Sequence, residues 1–299
     1  MSEIIPQLIV IALIISSVYA LIAAGLTLTF GVLEFVHFGY GEMAMLGAYL
    51  FYTAHISLGL GYIESGLISI VGVTILGIII EKFTFRPVRD RQVFIPLVLS
   101  IGIAIILQSI VLIIYGGTTK NLYVAGDVAT KFTFFNDTIT ITSIQIFIIL
   151  TAITALCGLC IFLKYSKTGK AIRAVSDDKE VAAIMGINVD RTISILFAIG
   201  SALAALAGIL IGLDRNLTPN MGMLLTVYAF AVIVLGGVGK LKGAIIGAII
   251  IGFIETFSLG LTSLKASSKE LVIFGTLMLL LIFKPYGIFG GKKDEIESR

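Results

Sequence analysis

Charged residues, histidines and cysteines are scarce in this 299-residue sequence. Asp, Glu, Lys and Arg make up 13% of it, about half the share found in soluble domains, whereas 58% is hydrophobic and the mean hydropathy is +1.09. The sequence is therefore that of an integral membrane protein. Two histidines and two cysteines form no metal-binding constellation and no nucleophile–base arrangement, so we expect no metal, no cofactor, no enzyme activity and no nucleic-acid partner.

The two cysteines, Cys157 and Cys160, form a C-x-x-C motif inside an apolar stretch. A redox role would need an exposed thiolate with a lowered pKa, and no cationic residue lies nearby before Lys164. We therefore interpret both cysteines as small packing residues.

Charge-free apolar stretches run through the sequence at 4–33, 92–119, 138–163, 192–213 and 216–239. Each is long enough to cross a bilayer as a helix, and lipid offers no hydrogen-bond partner to an unpaired backbone. The sequence predicts an all-α, polytopic transmembrane helical bundle that forms a single domain over 1–299. Eight or nine spans are predicted, at 5–30, 39–56, 60–80, 93–115, 144–163, 192–213, 223–238, 243–261 and 270–284.

Basic residues are concentrated in four segments, which are 82–91, 164–179, 240–242 and the C-terminal tail. The positive-inside rule places these segments in the cytoplasm. The loops predicted to lie outside are 116–143, 214–222 and 262–269. The side of the N-terminus stays open: it lies outside if three spans precede Lys82, and inside if the polar break at 34–42 is a re-entrant turn.

The first apolar run has no basic residue before it and is longer than the core of a secretory signal, so we expect it to be retained.

In the external loop 116–143, the segment KFTFFNDTITIT alternates between polar and apolar residues with period two around Asn136 and Asp137, which predicts a small β-hairpin. The hairpin could cap the mouth of a pore or contact a soluble partner. We favour the cap, because nothing in the loop is chemically special.

A polar island at 164–191 separates two stretches of membrane-spanning length. Its ten charges would cost on the order of 30 kcal/mol to bury in hydrocarbon, so the island lies outside the membrane. Ser176 is a suitable N-cap, Asp177, Asp178 and Glu180 place negative charge in a first turn, and Gly186 suits the position after a helix. These residues predict a short helix at about 177–185.

One face of this predicted helix is apolar, with Val181, Ile184 and Met185 at helical spacing and Ala182 and Ala183 between them. Such a face can dock another protein. It can also pack against the transmembrane helices of its own chain or lie among lipid headgroups. The pattern alone leaves these alternatives open.

Two Gly-rich segments, 25–50 and 230–255, resemble each other loosely, and each contains a polar break with glycines. Transporters line substrate paths with broken helices of this kind, whereas glycine can also serve only to let helices approach closely. We favour close packing for the pairs Gly208/Gly212 and Gly243/Gly247, and a substrate path for the two breaks. The predicted path residues are Glu34, His37, Gly39, Gly41, Glu42, Gly236, Gly237 and Gly239.

The segment GGVGK at 236–240 is not a phosphate-binding loop, because Val234 and Leu241 stand where that motif needs Gly and Ser or Thr. The chain is therefore not expected to hydrolyse ATP. Proton- and ion-coupled carriers usually have ionisable groups in mid-membrane. The carboxylates here are predicted to lie at span edges, namely Glu34, Glu42, Glu64, Glu81 and Glu255.

Four regions, 25–50, 85–116, 169–210 and 229–255, carry a resemblance to a known family. The second region begins with an Arg-Pro-x-Arg motif at 86–89 and has an Ile-Leu-Gln core at 106–108, and the third contains EVAAIMG from Glu180 to Gly186. In these regions, which span most of the chain, the sequence resembles the permease subunits of bacterial branched-chain amino acid ABC importers, of the shorter, LivH type.

The resemblance implies a type II-like ABC importer permease that moves branched-chain or related amino acids into the cytoplasm. It implies a multi-pass protein surrounded by lipid in the cytoplasmic (inner) membrane of a bacterium or archaeon. One alternative is a permease of the same superfamily for urea or amides. Another, from a different class, is a stand-alone secondary carrier.

The resemblance also implies partners. These are a second permease subunit that is a paralogue, two ABC ATPase subunits, and a periplasmic or lipid-anchored amino acid binding protein. The family's ATPase-coupling segment corresponds to 171–190, with Glu180 and Gly186 present, so the short helix would fit a groove on an ATPase. Transport would follow alternating access, with selectivity residing largely in the binding protein.

Overall fold

The computed structural model describes residues 4–33, 35–89, 91–92, 94–122, 131–134, 139–261, 269–284 and 287–289. Eleven α-helices and a two-stranded sheet lie in this part of the chain. The helices are α1 (Ile4–Leu33), α2 (Tyr40–Tyr52), α3 (Tyr62–Ile80), α4 (Phe94–Tyr115), α5 (Ser143–Tyr165), α6 (Lys167–Asp177), α7 (Lys179–Ile184), α8 (Val189–Asp214), α9 (Met221–Gly236), α10 (Leu241–Leu261) and α11 (Lys269–Phe283). The strands are β1 (Lys131–Phe134) and β2 (Ile139–Thr142), and π-helical turns extend α2 through Thr53–Ser57 and α3 through Glu81–Phe85.

Within the described ranges, six helices are long and apolar enough to cross a membrane: Ile4–Leu33, Tyr62–Phe85, Phe94–Tyr115, Ser143–Tyr165, Val189–Asp214 and Leu241–Gly260. Helix α9 and the segment Leu271–Phe283 are apolar but shorter, and α2 has 13 residues before its π-helical turn. The all-α, polytopic class is therefore confirmed. A count of eight or nine spans would also require the shorter helices.

One end of the bundle carries the predicted hairpin, with β1 and β2 paired antiparallel so that Lys131 faces Thr142. The Gln7 side chain exchanges two hydrogen bonds with the backbone of Thr140, donating at 3.1 Å and accepting at 2.9 Å. Helix α1 therefore begins at this hairpin end.

The opposite end carries basic residues, and we call it the basic end. Here Arg86 and Arg89 both donate hydrogen bonds to the carboxylate of Asp190, which joins the turn after α3 to the start of α8. A Cβ placed on Gly31, near the end of α1, would lie 3.4 Å from Ser176 Oγ and 3.8 Å from Gly239 Cα. Helix α1 therefore runs from the hairpin end to the basic end, as expected if it is one span.

Small residues let the central helices approach closely. A Cβ added to Gly208 would overlap the backbone of Ala44, and one added to Gly247 would overlap the carbonyl oxygen of Val232. Gly243 likewise faces the backbone of Gly236. The packing role predicted for these GxxxG pairs is confirmed, and it fits membrane helices, which associate largely through close van der Waals contact.

Both cysteines are exposed and free on α5. The buried face of this helix follows Ile148, Ala152 and Leu159, which recur at helical spacing and leave Cys157 and Cys160 on the other face. The interpretation of both cysteines as small packing residues is therefore wrong for this chain by itself.

Candidate functional site: a broken helix and an exposed apolar turn

The first polar break brings the chain back into the bundle before α2 begins. The hydroxyl of Tyr40, the first residue of α2, donates to the carbonyl oxygen of Gly200 at 2.7 Å. Gly200 lies eleven residues beyond Val189, where α8 begins at the basic end, which is about 16 Å at 1.5 Å per residue. Helix α2 thus begins near half the depth of the bundle and runs outward to the hairpin end. Glu34 lies outside the described residues.

Two hydroxyl side chains satisfy the backbone of the break. Thr226 Oγ1 accepts from the N–H of Gly41 at 2.8 Å and donates to the carbonyl oxygen of Phe38 at 3.0 Å. Ser100 Oγ accepts from the N–H of Phe38 at 3.2 Å. Irregular backbone at membrane depth is tolerated only where other groups pair it, and α4 and α9 supply those groups here. Ser100 and Thr226 were not predicted from the sequence, because nothing local separates them from other hydroxyl residues in apolar helices.

His37 lies buried within this break among aromatic rings. Its ring centroid is 4.8 Å from that of Phe85 and 6.0 Å from that of Phe197. Neither ring nitrogen has a hydrogen-bond partner among the residues described. Gly39 adjoins His37, since a Cβ on Gly39 would lie 3.0 Å from its Cε1. The backbone around His37 and Gly39 is therefore tightly packed, and the imidazole ring of His37 lies in the interior.

Glu42, in the first turn of α2, is only 1% exposed. A Cβ on Gly222 would overlap its carboxylate, so the missing side chain at Gly222 makes room for this group. Glu42 is one of the residues that line a cavity of about 510 Å³ between α2, α4 and α9, where Gln108 Nε2 donates to Asn220 Oδ1 at 2.9 Å. The prediction that Glu42 lies at a span edge is wrong, because it took α2 to begin at the membrane surface.

Glu255 is a second carboxylate that the structure places inside the bundle. It is 3% exposed, lies fourteen residues beyond the start of α10 at Leu241, and accepts a hydrogen bond from the Tyr19 hydroxyl at 2.7 Å. Its predicted position at a span edge is also wrong.

The second break lies at the basic end and does not meet the first. Gly236 ends α9, and Gly237 (φ 106°) and Gly239 (φ 75°) adopt the left-handed backbone that favours glycine. The N–H groups of Ile288 and Phe289 donate to the carbonyl oxygens of Leu235 and Gly236, at 2.9 and 3.2 Å. Gly41 instead contacts α9 at Thr226, ten residues before Gly236, or about 15 Å along the helix.

The polar island forms two helices, not the single helix predicted at 177–185. Helix α6 ends at Asp177, and Ser176 lies in its last turn and caps nothing. Asp178 has extended backbone angles, and its carboxylate accepts from the N–H groups of Glu180 and Val181 at 2.8 and 2.9 Å. The prediction of Ser176 as the N-cap is therefore wrong. Asp178 takes that role because its backbone leaves the helical region.

Helix α6 was not predicted. Ser166 caps it by accepting from the N–H of Gly169 at 2.8 Å, and Gly169, Ile172 and Val175 form its buried face. A serine followed by small or apolar residues at every third position was the signal in the sequence that could have predicted α6.

The end of α7 agrees with the prediction for Gly186. This residue has φ 84°, its N–H donates to Ala183 O, and the N–H of Ile187 donates to Ala182 O, both at 3.0 Å. These are the two hydrogen bonds of a Schellman motif, with Gly186 as the left-handed residue.

The apolar face of α7 is exposed. Val181 is 54%, Ile184 83% and Met185 77% exposed, and Glu180 and Ala183 are also exposed. Ala182 is buried and holds the turn against the rest of the chain. The described residues therefore do not cover this face, which argues against the alternative that it packs on the chain's own transmembrane helices.

Comparisons with known proteins identify a family for this chain. The family model described as branched-chain amino acid transport system / permease component matches residues 8–282. The chain is 33% identical to the high-affinity branched-chain amino acid transport system permease protein BraD of Pseudomonas aeruginosa, over 98% of this chain and 97% of that protein. It is 34% identical to the permease protein LivH of Escherichia coli K12, over 95% and 94%.

A solved structure shares the fold. PsaBC from Streptococcus pneumoniae, in complex with Fab, matches with a TM-score of 0.53 over 95% of this chain and 93% of that one. The two sequences are 13% identical, so the likeness concerns the fold alone.

Proposed function

The chain belongs to the family of branched-chain amino acid transport system permease components, as the resemblance predicted, and on that premise we propose that it is one permease subunit of an ATP-driven importer. The importer moves branched-chain or related amino acids into the cytoplasm. Two ABC ATPase subunits drive it, a second permease completes the membrane part, and a periplasmic or lipid-anchored protein delivers the amino acid.

The observation that carries this proposal is the exposed face of α7. Asp178 and Gly186 fix both ends of a six-residue helix, yet Val181, Ile184 and Met185 project from the basic end without cover from the described residues. An apolar face held this firmly suits a groove on another protein. An ATPase subunit seated there would pass its closing motion to α6 and α8, which flank α7.

We place the basic end in the cytoplasm, because the basic segments are gathered there. The N-terminal end of α1 then lies outside. The described helices cross the membrane nine times if α2 with its preceding break, α9 and α11 each count as one crossing beside the six long helices. The hairpin then lies outside, at the end where a binding protein would deliver the solute.

The translocation path, in this proposal, runs along the first break. His37 packs on Phe85 toward the basic end, and the chain then passes Gly39 to reach Gly41 and Glu42 near half depth, where Glu42 lines a cavity that opens between α4 and α9. The turn formed by Gly236, Gly237 and Gly239 lies below them at the cytoplasmic exit. The second permease would close the open side of the cavity, so that the two chains share the path.

An experiment on α7 tests the proposal. Ile184→Ser should sharply reduce co-purification of the ATPases and the ATP hydrolysis stimulated by loaded binding protein, while membrane insertion stays normal. Ile63→Ser is the matched control, because Ile63 is 80% exposed but lies at the hairpin end. Equal ATPase recovery in the two variants would contradict the docking role of α7.

The buried carboxylate of Glu42 favours a second candidate, an ion-coupled secondary carrier, since such carriers use ionisable groups inside the membrane. Reconstitution separates the two. Uptake of leucine by liposomes that contain this chain and the second permease, but no ATPase, would support the carrier. Uptake only when the ATPases and ATP are present would support the importer. Competition by urea or short amides against leucine would test the other substrate class.

A further inference from the structure

The cavity beside α2 is lined by both polar and apolar residues. The polar residues are Glu42, Gln108 and Asn220, and the apolar residues include Ile101, Ile105 and Leu224. Its volume of about 510 Å³ falls within the range of pockets that hold small ligands. A branched aliphatic amino acid likewise combines charged groups with an apolar side chain.

The carboxylate of Glu42 lacks a partner that its burial requires. Its Oε2 atom accepts no hydrogen bond from any described residue, and none of the residues that line the cavity is basic. A carboxylate that is almost fully buried is stable only when a cation or hydrogen-bond donors face it. No described residue supplies this partner, whereas the ammonium group of a ligand would supply both a positive charge and three donors.

The amide pair across the cavity offers donors. Asn220 occupies the N-cap position of α9, but its side chain makes no capping hydrogen bond and instead accepts from Gln108 at 2.9 Å. Of the four N–H groups on these two amides, this bond uses one, which leaves three for a ligand. A carboxylate accepts such donors well.

The cavity also faces a surface unsuited to lipid. Ile105, Met223 and Leu224 are 58%, 49% and 44% exposed, but the amides of Gln108 and Asn220 open onto the same side. Uncompensated amides would be costly against hydrocarbon. A second permease on this side would shield them and leave an enclosed space between the chains.

We propose that this cavity holds the amino acid during its passage, with the Glu42 carboxylate binding the substrate ammonium and the Gln108–Asn220 amide pair binding the substrate carboxylate. The branched side chain lies against Ile101, Ile105 and Leu224. This inference rests on the proposed function and adds a binding site inside the permease.

The first test compares two Glu→Gln variants in the importer reconstituted with its ATPases and binding protein. Glu42→Gln should lower the initial rate of leucine uptake about 10- to 100-fold, which is the effect of losing a hydrogen bond to a charged group. Glu64→Gln should leave uptake within about twofold, because Glu64 is exposed at the hairpin end and Gln can keep its capping bond to the N–H of Gly61. Normal uptake by Glu42→Gln would overturn the proposal.

A second measurement does not depend on uptake. In the importer that carries Cys157→Ala and Cys160→Ala, Met223→Cys should react with a methanethiosulfonate reagent, and leucine should slow this reaction at least about fivefold. The acid 4-methylpentanoate, which is leucine without the ammonium group, should not slow it, and Glu42→Gln should abolish the protection by leucine. Absent labelling, equal protection by both acids, or protection that survives Glu42→Gln would overturn the proposal.

If Glu42→Gln fails to assemble with the other subunits, Gln108→Leu replaces it, since Gln108 is partly exposed. This variant should also lower uptake about tenfold, and normal uptake would overturn the role of the amide pair. Failure of the proposed function and failure of the proposed site give different results. A wild-type complex without ATP-dependent leucine uptake contradicts the proposed function, whereas a wild-type complex that transports and a Glu42→Gln complex that transports equally contradict only the site.

Discussion

The backbone N–H of Gly41 donates a hydrogen bond to Thr226 Oγ1 across 2.8 Å. This bond fixes the first turn of α2 to α9 inside the bundle, and the same hydroxyl also donates to Phe38 O. One side chain thus satisfies a donor and an acceptor that would otherwise face the interior unpaired. The broken helix exists here because α9 completes its hydrogen bonds.

Thr226→Val should destabilise the protein. Valine keeps the shape of threonine but leaves the N–H of Gly41 without its partner, which costs about 1–3 kcal/mol for a buried group. Thr226→Ser keeps the hydroxyl and should lose less. The measurement is the midpoint of thermal unfolding of the purified protein in detergent, and equal midpoints for Val and Ser would contradict the role of the hydroxyl.

Gly41→Ala should also destabilise the protein, by about 1–3 kcal/mol, because the added Cβ would overlap Gly222 O and Thr226 Oγ1 and push α2 away from α9. Gly66→Ala in α3 is the control, because its Cβ would meet nothing within 4 Å. Alanine is also the better helix former, so this control should be neutral or slightly stabilising. Thermal midpoints measured side by side decide the matter, and a Gly41→Ala protein as stable as the control would refute the close approach.

Asp178→Ala should loosen α7, whereas Ser176→Ala should not. Asp178 accepts from two N–H groups of α7, and loss of such an N-cap costs about 1 kcal/mol. The amides of Glu180 and Val181 should then exchange with solvent about fivefold faster, measurable by hydrogen exchange on a peptide that covers 179–187. Faster amide exchange in Ser176→Ala than in Asp178→Ala would show that Ser176 is the N-cap, as the sequence predicted, and not Asp178.

Thiol labelling in intact cells tests the orientation. In a chain with Cys157→Ala and Cys160→Ala, a membrane-impermeant maleimide should label Leu58→Cys, because Leu58 is 66% exposed at the hairpin end. Ile184→Cys should be labelled only after permeabilisation. The opposite pattern would place the basic end outside and remove α7 from the reach of a cytoplasmic ATPase.

The positions of the long helices could be predicted because hydropathy is a local property. The predicted spans 93–115 and 192–213 correspond to Phe94–Tyr115 and to a part of Val189–Asp214. The hairpin could also be predicted, since the alternation of polar and apolar residues along a short strand is a local property too. Gly186 was correctly predicted to follow the end of the short helix, because a glycine after a short amphipathic segment usually takes the left-handed position there.

The depth of a residue was not predictable, because it depends on contacts between distant helices. Glu42 was placed at a span edge on the assumption that α2 starts at the membrane surface, whereas Tyr40 reaches Gly200 well inside the bundle. The partners of Asp190 were missed for the same reason. Arg86 and Arg89 stand out as charges, but only the fold brings them to Asp190.

Among the polar residues at 176–178, the cap was not predictable either. Serine and aspartate are all good N-caps, so three neighbouring candidates compete. The choice is made by the backbone of Asp178, which is extended because α6 stops at Asp177 and the chain must turn into α7. Helix α6 stops there because its buried face ends at Val175.

The pairing of Ile288 and Phe289 with the end of α9 has a consequence for biosynthesis. Leu235 and Gly236 emerge from the ribosome about fifty residues before the groups that satisfy their carbonyl oxygens, as the numbering from 236 to 288 shows. The corner between α9 and α10 can therefore be completed only after translation has passed Phe289. A product terminated early, before Gly287, would enter the bilayer with this corner still open to water, a defect that membrane proteases could use to recognise it.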